Sequence, residues 1–222
     1  VSRSGRQSSG PRLVALLAAV AVPLLASGGG LTFEQAFDAT GEPTALHFQA
    51  AFRAHGGEHR LEVWRDGDRR VKRRTDETIE TYAFHRPGDA EYELSVLDLR
   101  KRIHTRVDRT NLFRIGSFTE WFDLTHGLRH PRGPYRVVSA RAPRGTPGPV
   151  EACRWYDLTQ ADRTTHVCWS VAERIPMLIV ADGGETVWKV TRVDRGPIAP
   201  GTFEIHDEGF VRNDANEDIA GD

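Results

Sequence analysis

Three stretches of the chain hold chemically active side chains at close spacing. His55-Gly56-Gly57-Glu58-His59 fits H-x-x-E-H, the order in which one class of zinc proteases presents two imidazoles and a general base. That chemistry needs both histidines on one helix face, and two adjacent glycines between strand-like segments predict a hairpin turn instead. Ser117, Asp123 and His126 carry the hydroxyl, carboxylate and imidazole of a hydrolytic triad. They fall within one helical segment, however, where Ser117 serves better as a cap and the other two as a wet face. Asp214-Ala215-Asn216-Glu217-Asp218 begins like a calcium loop but lacks the glycine at the sixth position and the bidentate glutamate at the twelfth. These readings predict no catalytic residue, no metal site and no cofactor, and hence a protein that is not an enzyme.

The cysteines point to an oxidising compartment. Cys153 and Cys168 are the only two, and an even pair in an exported chain is most simply a disulfide. A thiolate metal site using His166 beside Cys168 is the rival, and it lacks further ligands at zinc-like spacing. Export itself is predicted from residues 1–28. Arg3, Arg6 and Arg12 form a positive region, residues 13–25 are apolar throughout, and Ala26-Ser27-Gly28 offers small residues for cleavage. An uncleaved anchor is the alternative, but the apolar run is well short of the ~20 residues a spanning helix needs. The expected protein is periplasmic or extracellular and does not span the membrane after signal cleavage. With 30 basic against 31 acidic residues, no concentrated positive surface for nucleic acid is expected.

Stepping along the remaining chain, the apolar period changes from helical to alternating and back. Residues 31–39 predict a short helix capped by Thr32. From residue 46 to residue 107 six strands alternate, punctuated by turns such as Asp66-Gly67-Asp68, and the connections are too short for anything but antiparallel pairing. Arg69 to Thr75 holds five Arg or Lys and reads as a solvated edge or outer face. Residues 117–128 predict one helix, with a Ser117/Glu120 capping box and Gly127 as its left-handed end. Its expected buried face is Phe118, Trp121, Phe122 and Thr125, and its wet face includes Asp123 and His126. Strands follow near residues 135–140, 153–158, 165–171, 177–181, 186–193 and 203–205. The expected fold is α+β, mainly antiparallel β, with a single domain over residues 29–210 and an acidic tail over 211–222.

The aromatic residues favour binding over catalysis. Phe118, Trp121, Phe122, Trp64, Tyr82 and Phe84 are the candidate ligand-binding side chains, and the helix face reads either as core or as pocket wall. A signal peptide, a short helix, a Phe48-Gln49 strand, a meander through Asp66-Gly67-Asp68, a central helical plug and a second run of strands together resemble the LolA/LolB-type outer-membrane lipoprotein-carrier superfamily. The Cys153/Cys168 pair is not part of that pattern. The resemblance implies an unclosed half-barrel whose concave apolar face, lidded by short helices, holds a hydrophobic ligand or lipoprotein acyl chains. It also implies a functional arginine, for which Arg65, Arg69, Arg70 and Arg73 are candidates. An envelope regulatory or protein-interaction module with an envelope protein partner and no transported ligand is the alternative.

Overall fold

The computed structural model describes residues 30–54, 56–86, 88–89, 91–114 and 120–216. The expected signal peptide, His55, Ser117 and Phe118 lie outside the described residues. Six strands form the predicted antiparallel meander: β1 (Ala45–Ala54), β2 (Gly57–Asp66), β3 (Arg70–Thr75), β4 (Ile79–His85), β5 (Tyr92–Asp98) and β6 (Ile103–Asp108). Gly67 takes φ 53° in the turn between β2 and β3, a conformation an L side chain resists. A second meander is made of β7 (Arg136–Ser139), β8 (Arg154–Gln160), β9 (Arg163–Trp169), β10 (Pro176–Ala181) and β11 (Thr186–Asp194). β1 pairs with β11 and joins the two. β12 (Val211–Asp214) adds parallel to β6, giving one unclosed twelve-stranded sheet in the order β12-β6-β5-β4-β3-β2-β1-β11-β10-β9-β8-β7.

This order dictates two crossings. β6 lies next to one edge and β7 is the other edge, so residues 109–135 must traverse the sheet; they carry α2 (Arg109–Arg114) and α3 (Trp121–His126). β11 is central and β12 is an edge, so residues 195–210 must cross as well. The two crossings take opposite faces. In the β2–β3 register Arg73 is opposite Val63 and Arg70 is opposite Asp66, so alternation points Arg73 and Arg70 to different sides. Arg73 donates to the carbonyl of Leu124 in α3 at 3.1 Å, whereas Arg70 lies 4.5 Å over the ring of Phe203 in the C-terminal crossing.

The α3 side holds the main core, where Leu46, Phe48, Leu61, Val63 and Leu94 pack with Leu112 and Leu124. A second cluster sits at the β7 end, under α1 (Phe33–Ala36). Thr32 and Gln35 form a capping box there, the Gln35 N–H donating to Thr32 Oγ1 and the Thr32 N–H to Gln35 Oε1. A backbone bond of 2.9 Å from Leu31 to Val137 fixes α1 against β7. The disulfide Cys153–Cys168 is formed, with Cα atoms 5.4 Å apart, and joins the start of β8 to β9. His166 is not a ligand beside it; its Nδ1 lies 2.7 Å from Asp157.

Four expectations are corrected. β3 is a central strand, and Lys72 is buried, because Glu80 neutralises it at 3.1 Å and Trp64 and Tyr82 sandwich its ammonium. Residues 203–205 are not a strand: Pro200–Phe203 is a 3-10 turn, favoured by proline at its start. Residues 211–214 are β12 rather than loose tail, since Asp207 holds His104 of β6 at 2.7 Å and delivers the chain to the sheet edge. Finally, Glu120 is not the third residue of a capping box. It flanks α3 in extended conformation, with its carboxylate 3.4 Å from Arg109.

Candidate binding site

The local chemistry of α3 sets the site. Gly127 ends the helix at φ 72°, and a Cβ there would come within 2.7 Å of the Trp188 ring, so both conformation and space demand glycine. Leu124 and Thr125 face the sheet and are buried as their apolar or hydrogen-bonded character requires; the Thr125 hydroxyl donates to the carbonyl of Trp121 at 2.8 Å. Trp121 is half-buried, stacked on His85 at 4.7 Å with its neighbour Tyr92 edge-on at 5.5 Å. Phe122 turns the other way. It stacks on His126 at 4.2 Å, faces Trp169 at 6.0 Å and meets Phe33 of α1 edge-on at 5.6 Å.

Between α1 and α3 lies an open pocket of about 400 Å³. Phe33, Phe37 and Phe122 give it an aromatic floor, Phe33 and Phe37 being i,i+4 neighbours with ring centres 4.8 Å apart. Its wall and rim are polar and acidic: Glu34, Asp38, Glu120 and Asp123, with His130. His130 is well tied, its ring against Phe33 at 4.5 Å and its Nε2 2.9 Å from Glu34. The Glu34 carboxyl is held below the usual range by a backbone N–H and by His130. Thr40 does the same for Asp38, whose other neighbour is Arg174 at 3.4 Å. Asp123 goes the opposite way: burial pushes its carboxyl up, and the N–H of His130, donating to Oδ1 at 3.0 Å, and the charge of Arg129 compensate only in part.

On its far side α3 is locked by a buried ion network. His126 is buried with Nε2 2.9 Å from Glu42 Oε2, and Glu42 in turn lies 3.3 Å from the fully buried Arg65 of β2. Arg65 also donates to the carbonyl of Glu173 at 3.2 Å, and the buried Glu173 carboxylate is paired with Arg195. Burial lowers the His126 pKa, and the positive charge of Arg65 adds to it, outweighing the bond to Glu42. Burial works to raise Glu42, but His126 and Arg65 win and its carboxyl ends below the ordinary range. The wet face expected for Asp123 and His126 is therefore corrected for both. A loop carrying Glu42 covers one, and the pocket wall encloses the other.

The candidate aromatics do not converge. Trp121 and Phe122 are on the α3 side of the sheet, and only Phe122 lines the pocket. Trp64 pairs with Lys72 and Lys72 with Tyr82, so Trp64, Tyr82 and, two residues on, Phe84 point to the opposite face, under the C-terminal crossing. Tyr82 is buried there, its hydroxyl donating to Glu80 at 2.6 Å, while Phe84 is exposed. That face also has a depression of about 450 Å³, whose wall mixes Arg60 and Arg74 with Glu58, Glu62 and Asp76. Of the arginine candidates, Arg69 and Arg70 pair with Asp66 at the turn, and Arg65 is fully buried. Arg73 is pushed down to about 10, by burial and then by Arg129, and still carries its charge at neutral pH. Sequence reasoning missed Phe33 and Phe37 as site residues, although their i,i+4 spacing beside the acidic Glu34 and Asp38 was visible.

No family model matches the chain, and no curated protein does. Solved structures that resemble it include PNGF-II, in a P21 and a C2 crystal form, at TM-score 0.38 with 8% and 9% identity over 79% of this chain. MucB is similar at TM-score 0.39 and 12% identity over 79% of this chain. The chain spans 32% of the length of PNGF-II and 62% of that of MucB.

Proposed function

We propose that this chain is an exported, non-enzymatic binding protein of the LolA-like half-barrel type that takes up an acyl chain, of a lipid or of a lipoprotein, beside α3. One observation carries the reading: the aromatic-floored pocket of about 400 Å³ between α1 and α3. That volume is in the range of small-ligand sites, which are mostly apolar with a few placed polar groups. Its walls suit uptake. α1 has four residues and α3 six, too few to be stable alone, so tertiary contacts set their separation and with it the width of the pocket. The charged, then apolar, leader and the disulfide support an exported location.

Trp169 supplies the reporter, being buried and 6.0 Å from Phe122. Titration with dodecyl-chain amphiphiles should change its fluorescence, and native mass spectrometry of protein purified from the envelope should reveal a bound lipid. Absence of both signals would overturn the reading. Phe122→Ala should abolish the fluorescence response while the fold is retained.

A further inference from the structure

We infer that the ligand of the α1/α3 pocket is a cationic amphiphile, with its apolar part on the phenylalanine floor and an ammonium-type head against Asp123. The inference rests on the binding reading above and adds the chemistry of the head group. Four carboxylates stand on the wall and rim, against one imidazole. Three of the carboxylates have cationic or imidazole neighbours: Glu34 has His130, Asp38 has Arg174 and Glu120 has Arg109. Asp123 is different. It is 9% exposed, it has no ion-pair partner within 4 Å among the described residues, and only its Oδ1 accepts a hydrogen bond there. Arg129 and Arg132 border a separate depression that Asp123 also touches, and neither lines the pocket; the charge of Arg129 favours the Asp123 carboxylate from there without outweighing burial.

A carboxylate enclosed in this way is costly unless a positive charge reaches it. The floor offers that charge a second attraction, since a cation near aromatic rings is stabilised by their quadrupoles and quaternary ammonium groups are recognised in this way. An anionic head meets the Asp123 carboxylate and three further carboxylates that their neighbours compensate only in part. Fatty acids and anionic lipids are therefore excluded by the same chemistry that selects the cation, and burial, which makes an unneutralised Asp123 carboxylate unfavourable, strengthens the selection.

The test compares three ligands of equal chain length, each below its critical micelle concentration, by calorimetric titration of the full chain at pH 8. They are dodecyltrimethylammonium, the neutral dodecyldimethylamine oxide and dodecanoate. The expected order is cation, then neutral, then anion, with the cation about tenfold or more tighter than the neutral head, as for a charge-assisted contact. The preference should shrink as salt is added. Asp123→Asn, which keeps an acceptor for the His130 N–H, should bring the cation to the affinity of the neutral ligand; Glu120→Gln at the exposed rim should cost a smaller part of the preference. Equal binding of all three heads, or a preference for dodecanoate, would overturn the inference and leave the acyl-chain reading standing. No binding of any of them would overturn both, and an undiminished preference in Asp123→Asn would remove Asp123 as the determinant.

Discussion

His126 and Asp123 lie three residues apart on one short helix, both buried, and the protein treats them in opposite ways. Around His126 the charges are chained through protein groups: the imidazole meets Glu42, Glu42 faces Arg65, Arg65 donates to the Glu173 carbonyl, and Arg195 pairs with the Glu173 carboxylate, while Arg65 Nε and Nη1 and Glu173 Oε2 stay buried without a hydrogen bond. Around Asp123 the only hydrogen bond among the described residues is one backbone N–H, and the space beside it is a pocket. The first region joins α3 to the sheet and to the turn after β9, whereas the second is left electrostatically unfinished. Burial alone does not tell a structural charge from a functional one.

The largest break in this comparison comes from the networked side. Arg65→Met removes the buried cation facing Glu42 and the donor to the Glu173 carbonyl, and a loss of about 3–5 kcal/mol is expected in urea unfolding. Adding Glu42→Gln should recover part of that loss, because the two residues share one network. On the unfinished side, Phe122→Ala removes a half-buried ring, and about 2 kcal/mol is expected, less than the ~3–5 kcal/mol of a fully buried one. Loss of the Trp169 fluorescence response should be its more conspicuous effect.

Next comes pH. The folded pKa of His126 lies below its unfolded value near 6.5, so between these values the unfolded chain binds more protons. The stability contribution is complete above about pH 6.5 and is lost as pH falls below it, by at most ~1.4 kcal/mol per pH unit. Equilibrium unfolding at a series of pH values should show that slope, and His126→Gln should flatten it. The smallest effect is Glu120→Gln, where an exposed ion pair to Arg109 is expected to change stability by less than ~0.5 kcal/mol in the same urea assay.

Much of the architecture was legible in the sequence because local chemistry determines it. Phe48 and Ala50 alternate with His47 and Gln49, the Asp66-Gly67-Asp68 turn closes a hairpin, Thr32 caps α1, and Gly127 ends α3. Alternation says which residues share a face but not which face that is. Alternation therefore leaves Trp64 and Tyr82 grouped with the helix, although the sheet has a second covered side. Lys72 and Lys101 look alike in sequence; Glu80, eight residues along the chain and one strand over, is what allows Lys72 to be enclosed. The helical period alone puts His126 on a wet face, because nothing local announces the loop bearing Glu42, which reaches it from 84 residues away. The site fails for the same reason, since α1 and α3 meet only after the chain has crossed the sheet.

The pairing of β1 with β11 has a kinetic meaning. Each meander is assembled from neighbouring strands and closes only short loops, but their junction joins groups such as Thr191 and Gln49 across 142 residues. Loop-closure entropy must be met before those contacts stabilise anything, and chains rich in such contacts fold slowly. Refolding is therefore expected to divide into fast appearance of two separate half-sheets and a slower docking at β1–β11. Until that docking, residues 109–135 have no sheet to cross, and the pocket between α1 and α3 does not yet exist.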